Sequence, residues 1–109
     1  MAHAKKEQFR SEDIRLAGFG KALAHPARVA ILKKLALQDN CYFSEISEEI
    51  PLAGSTVSQH LSELKKAGLI EWKYEPPRIK YFLNIANWKL ARKYVKEFMK
   101  MKSQKNNGL

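Results

Sequence analysis

Residues 54–70, with the sequence GSTVSQHLSELKKAGLI, constrain the fold of this chain more than any other segment. Apolar side chains recur at the i, i+4, i+7 and i+11 positions of one helix face: Val57, Leu61, Leu64 and Gly68. At about 100° per residue, polar side chains fall on the opposite face: Ser55, Gln59, Ser62 and Lys66. The spacing predicts a helix around 54–67 that buries one face and exposes a hydrogen-bonding face.

The apolar period changes to two after that helix. The segments LIEWKYE and RIKYFLNI are rich in aromatic and β-branched residues, and they predict a β-hairpin over residues 69–85. One face of the second strand is expected to carry Ile79, Tyr81, Leu83 and Ile85. Pro76 and Pro77 lack amide donors, so we expect a loop longer than a two-residue turn between the strands.

Three helices are predicted before residue 54. Ser11 is placed to cap the first, whose apolar faces carry Ile14, Leu16, Phe19 and Leu23. Gly18 and Gly20 weaken that helix, either as tolerated defects or as a place where another helix approaches closely. His25 marks its boundary, because Pro26 disfavours a helical residue before it and suits the first turn of a new helix.

The second helix is predicted to run to about Gln38, and QDNCY reads as the loop that ends it. Ser44 is placed to cap a short third helix, and PLAG forces a turn before residue 54. Asn87 is expected to cap a last helix, WKLARKYVKEFMKMK. Its apolar stripe consists of Trp88, Ala91, Tyr94, Val95, Phe98 and Met99.

The length of 109 residues predicts one small domain over 11–102, with flexible ends at 1–10 and 103–109. Twenty Lys and Arg against eleven Asp and Glu give a net charge of +9, which favours polyanionic partners. The apolar runs are too short to span a membrane, and MAHAKKEQFR lacks the apolar core of a signal peptide. We therefore expect a cytoplasmic protein.

Two helices joined by a short turn and followed by a hairpin make a winged helix-turn-helix, here mainly α with about five helices and a two-stranded wing. The second helix of this motif enters the DNA major groove. Gln59 is predicted to contact adenine, and short hydroxyl side chains to contact bases or phosphates: Ser55, Thr56, Ser58 and Ser62. Four cations are predicted to bind phosphates: Lys65, Lys66, Arg78 and Lys80.

The segments ALAHPARVAILKKL, SEISEEIPLAGSTVSQHLSELKKAGLIEWKYE and RIKYFLNI resemble the ArsR-type winged-helix transcriptional repressors, over roughly residues 12–102. The resemblance implies a homodimer that binds a palindromic operator in double-stranded DNA and leaves it when an inducer, here unknown, arrives. It implies pairing through the first and last helices, with an interface predicted at Leu16, Phe19, Leu23, Trp88, Ala91, Tyr94, Val95 and Phe98.

The metal-sensing residues of many such repressors are not matched. Their paired cysteines align with Tyr42 and Ser44, and Cys41 alone cannot supply a multi-sulfur site. Residues 88–102 hold neither His nor Asp and only Glu97, too few ligands for a zinc site. We therefore predict a member of the family without metal or other cofactor.

Other interpretations of the same residues stay open. A winged-helix module that contacts protein or RNA is the main alternative, and an enzyme is not expected, because no catalytic arrangement is present. The last helix has the pattern of a membrane-surface helix, but a role in the core and dimer is favoured. Strand aromatics suit base stacking or, more commonly, packing under helices: Trp72, Tyr74, Tyr81 and Phe82. His60 is expected to pack or to contact phosphate, and His3 to lie in a flexible end.

Overall fold

The computed structural model describes residues 8–104, which form five helices and three strands. The helices are α1 (Ser11–Ala22), α2 (Pro26–Gln38), α3 (Phe43–Glu49), α4 (Gly54–Lys66) and α5 (Ile85–Met99). The strands are β1 (Asn40–Tyr42), β2 (Ile70–Glu75) and β3 (Arg78–Leu83). This order confirms the predicted winged helix-turn-helix, with α3 and α4 around the turn and β2 and β3 as the wing. His3 and most of the segments predicted to be flexible, 1–10 and 103–109, lie outside the described residues.

The three strands form an antiparallel sheet in the order β1-β3-β2. Tyr81 at its centre lies opposite Cys41 on one side and Trp72 on the other. The sequence predicted a loop at β1, and that prediction is wrong. Three residues are too few to show a period of two, and their strand conformation comes from pairing with β3, which lies about 40 residues further along the chain.

The connection within the wing is shorter than predicted. β2 ends at Glu75, which lies opposite Arg78 at the start of β3, so only Pro76 and Pro77 lie between the strands. The expected longer loop is therefore wrong. The Pro76–Pro77 peptide bond in this connection is cis.

A single core joins α2, α3 and α4 to the sheet. Its largest fully buried side chains are Ile31, Leu35, Ile46, Val57, Leu64, Leu69, Ile70 and Cys41. Burying one aliphatic side chain of this size contributes about 1.5–3 kcal/mol. α1 adds Phe19 and Ala22 to the same core and packs on α5, where the rings of Phe19 and Tyr94 lie 6.4 Å apart.

The helix caps differ from those predicted at Ser11, Ser44 and Asn87. α1 begins at Ser11 itself, because the carbonyl of Arg10 already accepts from the Ile14 amide at 3.1 Å. α3 begins one residue before Ser44, and its Glu45 carboxylate accepts from the Tyr42 amide at 2.9 Å.

α5 begins earlier than predicted. The side chain of Asn84, not that of Asn87, caps it by accepting from the Asn87 amide at 3.0 Å. Ile85 therefore belongs to the helix, where it is exposed, and not to the face of the second strand as predicted.

Gly68 ends α4 instead of continuing its apolar face. Its amide donates to the Lys65 carbonyl at 2.9 Å, and the next amide, of Leu69, donates to the Leu64 carbonyl at 3.1 Å. These two bonds form a Schellman motif, which needs a left-handed residue, and Gly68 has φ of 79°. The Asn87 amide group donates to the Gly68 carbonyl at 2.9 Å and so ties this turn to α5.

Gly18 and Gly20 lie on the exposed surface of α1. A Cβ placed on either glycine meets nothing within 4 Å, so no other element of the described chain approaches them closely. Close approach of another helix, one of the two explanations drawn from the sequence, is therefore not found within residues 8–104.

Candidate nucleic-acid interface

The exposed face of α4 is the surface on which the predicted recognition residues lie. Val57, Leu61 and Leu64 are at most 2% exposed and fix the opposite face against the core. Thr56 is half-buried, and the other polar residues predicted for this face are exposed: Ser55, Ser58, Gln59, Ser62, Lys65 and Lys66. The helix is 13 residues long, about 20 Å, so it presents this face over more than three turns.

Two lysines at the end of α4 differ in their contacts. The Lys65 ammonium lies 4.2 Å from the centroid of the Trp72 ring and so connects α4 to the wing. The Lys66 ammonium lies 3.6 Å from a carboxylate oxygen of Glu63, one turn earlier. Such an exposed pair contributes about 0–1 kcal/mol and leaves Lys66 able to exchange partners.

The aromatic residues of the wing divide into two groups. Tyr81 packs against the core, as the sequence predicted, and Phe82 is partly buried. Trp72 and Tyr74 are 44% and 58% exposed, so the same prediction is wrong for them. Trp72 is contacted by Lys65 of α4, and Tyr74 lies nearer the tip of the wing.

The two predicted phosphate-binding residues of the wing have unequal surroundings. Arg78 is exposed, and its guanidinium carbon lies 3.9 Å from the centroid of the Tyr42 ring. Lys80 is half-buried and pairs with Glu75 at 2.9 Å. The hydrogen bond from Lys80 lowers the pKa of Glu75, a second bond from the Tyr42 hydroxyl adds to this, and the same pairing with Glu75 raises the pKa of Lys80.

His60 belongs to the buried side of α4 and holds that helix against the α1–α2 connection. It is 9% exposed, and its ring lies 4.2 Å from that of His25, which caps α2 by accepting from the Ala27 amide. Arg28 Nη1 lies 3.3 Å from His60 Nδ1, while Arg28 Nε donates to the Ala22 carbonyl at 2.8 Å. The sequence predicted the packing of His60 and the boundary role of His25 but missed Arg28, because the partners are 32 residues apart.

Acid is expected to destabilise the protein through His60. Burial lowers its pKa, and His25 and Arg28 add to the effect, partly offset by Glu63. The unfolded chain then binds the proton at higher pH than the folded one. The stability contribution is therefore fully present above about pH 6.5 and is lost as the pH falls toward the folded pKa.

Thermal unfolding at about pH 7.5 and about pH 5.5 checks this expectation. The wild-type Tm is expected to fall more between these two conditions than that of His60→Gln, which cannot titrate. Equal decreases in the two proteins would exclude His60 as the group responsible.

The residues predicted for a dimer interface lie on α1, at Leu23 directly after it, and on α5. Phe19 is buried within its own chain, whereas Leu23 is 39% and Phe98 is 56% exposed. The others are partly buried: Leu16, Trp88, Ala91, Tyr94 and Val95. An apolar groove of about 230 Å³ runs between the two helices, and Leu23, Trp88 and Val95 contribute to its lining.

Within residues 8–104, no three His, Cys, Asp or Glu side chains come together in a way that holds a metal ion. Cys41 is 1% exposed, and its thiol donates to the Gln38 side-chain oxygen at 3.2 Å. Burial raises the pKa of this thiol, which favours the unreactive protonated form. In the same part of the chain, no helix is long and apolar enough to cross a bilayer.

Comparison with known proteins places this geometry in a family. Residues 25–71, from the start of α2 to the start of β2, match the family described as bacterial regulatory protein, arsR family. The crystal structure of Rv0081 from Mycobacterium tuberculosis is 32% identical, with a TM-score of 0.59 over 76% of this chain and 87% of that one. The chain belongs to the ArsR family.

The curated relatives carry names of transcriptional regulators and not of enzymes. HlyU from Vibrio cholerae is 27% identical, with a TM-score of 0.65 over 80% of this chain and 99% of that structure. The HTH-type transcriptional regulator CmtR of M. tuberculosis is 42% identical over 77 residues. That match covers 71% of this chain and 63% of CmtR, so the chain spans less than two thirds of that relative's length.

Proposed function

We propose that this ArsR-family chain is a dimeric transcriptional repressor that binds a palindromic operator in duplex DNA. The observation that carries the proposal is the exposed face of α4, which combines hydroxyl, amide and ammonium groups on a helix anchored by Val57, Leu61 and Leu64. The adjoining wing extends the same surface through Trp72, over which Lys65 lies.

The side chains of this face suit the major groove, which is about 12 Å wide and admits one helix. The Gln59 amide carries both a donor and an acceptor, the pair needed for adenine. The hydroxyl residues are short enough for the helix to approach base edges or phosphates: Ser55, Thr56, Ser58 and Ser62. Gln59 is thus assigned to base choice, and the hydroxyl residues to positioning and secondary contacts.

Phosphate binding is assigned to cations that flank this face. Lys65, Lys66 and Arg78 are exposed at the end of α4 and on the wing, and the chain carries a net charge of +9. Each neutralised phosphate releases counterions, so binding is expected to weaken as salt rises. These contacts set affinity and not sequence preference.

Dimerisation is assigned to the apolar groove between α1 and α5. None of the residues of α5 is fully buried in the single chain, although its apolar stripe faces α1 and the groove. A second copy on this surface would cover the stripe and place two α4 helices in a twofold arrangement. A palindromic operator has the same symmetry.

Replacing Val95 with glutamate is expected to shift the dimer toward monomer, because it places a charge in the groove at a residue outside the core cluster. Duplex affinity should fall with it, since only one half-site remains engaged. Ile85→Glu is the matched control: it makes the same substitution at an exposed residue of α5 outside the predicted interface. Sedimentation equilibrium checks both; an unchanged dimer in Val95→Glu would contradict the assigned interface.

We also propose that the protein binds no metal and acts in the cytoplasm. The support for the first point is the chemistry of the side chains beside Cys41. Tyr42 and Ser44 are poor ligands for soft metals, and Cys41 itself is buried and bonded to Gln38.

Fluorescence anisotropy tests the proposal. Duplex from upstream of the protein's own gene is compared with a scrambled duplex across a salt series. A preference for the upstream duplex that survives near 0.15 M salt supports operator binding. Equal binding that vanishes for both as salt rises would mean that net charge alone accounts for the affinity.

The exposed Trp72 and Tyr74 favour one alternative, a winged-helix module that binds single-stranded RNA by base stacking. Competition separates the two functions. Unlabelled single-stranded RNA should displace the duplex poorly if the α4 face reads DNA. Displacement at equal or lower concentration, lost in Trp72→Ala, would favour the alternative.

A further inference from the structure

The outer face of the wing carries a cluster of four side chains that reaches back to β1. Tyr42 lies opposite Lys80, and Arg78 lies opposite Glu75 in the neighbouring pair of strands. Because residues two apart on a strand share a face, Tyr42, Glu75, Arg78 and Lys80 project to the same side of the sheet. We call these four residues the wing cluster.

Tyr42 makes two different contacts within the wing cluster. Its ring lies 3.9 Å from the Arg78 guanidinium carbon, and its hydroxyl donates to Glu75 Oε1 at 3.1 Å. The other oxygen of Glu75 pairs with Lys80 at 2.9 Å, and that ammonium lies 6.0 Å from the Tyr42 ring. Tyr42, a side chain from outside the wing, therefore contacts both Arg78 and the Glu75–Lys80 ion pair.

These contacts leave the two cations of the wing cluster with different capacities to bind a phosphate. The charge of Lys80 is offset by Glu75 at close range, so the pair adds little attraction for a phosphate. The Arg78 guanidinium carbon lies over the Tyr42 ring, a cation–π contact that does not pair its charge with a carboxylate. The Arg78 guanidinium donates no hydrogen bond within residues 8–104, so its fork of N–H donors is available to a phosphate.

We propose that Tyr42 is a positioning residue for duplex binding: its ring holds Arg78 as the phosphate-binding cation of the wing, and its hydroxyl helps Lys80 to hold Glu75. This inference rests on the proposed function and refines it. The sequence assigned Arg78 and Lys80 the same role, whereas the structure assigns phosphate contact to Arg78 and charge compensation to Lys80. Tyr42 also donates its amide to Glu45, which fixes it at the start of the helix-turn-helix.

A measurement without DNA tests the contact first. The Arg78 side-chain protons should show an upfield ring-current shift in the NMR spectrum of the full chain. Tyr42→Phe keeps the ring and should retain the shift, whereas Tyr42→Leu should lose it. An Arg78 shift that is the same in wild type and Tyr42→Leu would overturn the stacked arrangement.

Duplex affinity then tests the role. Tyr42→Leu is expected to bind the preferred duplex about two- to fivefold more weakly, the equivalent of one exposed cation–π contact. Tyr42→Phe should bind nearly as wild type. Arg78→Ala should reduce the salt slope by about one, and adding Tyr42→Leu to it should cause no further loss. Glu75→Gln should bind more tightly, because it releases Lys80.

The outcomes separate this inference from the proposed function. A wild-type protein that binds no duplex with preference would overturn both. A wild type that binds its duplex, together with a Tyr42→Leu variant of equal affinity, would overturn the role of Tyr42 alone. Additive losses from Tyr42→Leu and Arg78→Ala would do the same, because they would show that Tyr42 acts independently of Arg78.

Discussion

Leu64→Ala is expected to lower the free energy of unfolding by about 2–5 kcal/mol, because it opens a cavity where the helix meets the sheet. Leu64 is fully buried, and its carbonyl accepts the Leu69 amide in the turn that ends α4. Small domains are stable by only about 5–15 kcal/mol, so the loss is a large share of the total. Urea unfolding followed by circular dichroism measures it.

Ser62→Ala is the control for Leu64. Ser62 lies two residues before Leu64, on the exposed face of the same helix. Its replacement should change the free energy of unfolding by about 0.5 kcal/mol or less. A loss below about 1 kcal/mol in Leu64→Ala would show that α4 is not anchored through this side chain.

Gln59→Ala is expected to cost about 1–3 kcal/mol of binding free energy on the preferred duplex and to relax base choice at one position of each half-site. Gln59 is exposed and near the middle of α4, so its loss removes a hydrogen-bonding amide without disturbing the core. Binding to a panel of single-base variants of the operator measures the effect.

The pattern across that panel decides the role of Gln59. Discrimination should disappear at one base pair and persist at the others. Unfolding stability should stay within about 0.5 kcal/mol of the wild-type value. An equal loss of affinity on every duplex, preferred or scrambled, would remove Gln59 from base recognition and leave it a general contact.

The helices of this fold were predictable where apolar spacing was strong. Val57, Leu61 and Leu64 follow one helix face because a buried face imposes its period on the sequence. The ends of the elements were less predictable. Asn84 and Asn87 are both suitable caps; in the structure Asn84 caps α5, and the Asn87 side chain donates to the Gly68 carbonyl.

The candidate site was predictable in part for the same reason. A helix with one buried face necessarily exposes the other. The residue types on α4 predicted that the exposed face carries hydrogen-bonding groups. Contacts between distant segments left no local pattern. Arg28 and His60 are 32 residues apart, and Tyr42 and Glu75 are 33 apart, so only the folded chain brings each pair together.

The short strand β1 shows how one such contact changes the interpretation of a site. Residues 38–42 predicted a loop. The only inference drawn for Tyr42 was that it stands where metal-sensing relatives have a cysteine. Pairing with β3 places Tyr42 beside Lys80 and under Arg78. The different surroundings of Arg78 and Lys80 follow from that pairing and not from their spacing in the sequence.

The central claim is that two copies of this chain read duplex DNA through the exposed faces of their α4 helices. Hydroxyl-radical footprinting of the wild-type protein on its preferred duplex tests it most directly. We predict two protected half-sites related by twofold symmetry, with centres about 10 base pairs apart or a multiple of that spacing. Uniform protection that is independent of sequence would contradict the claim.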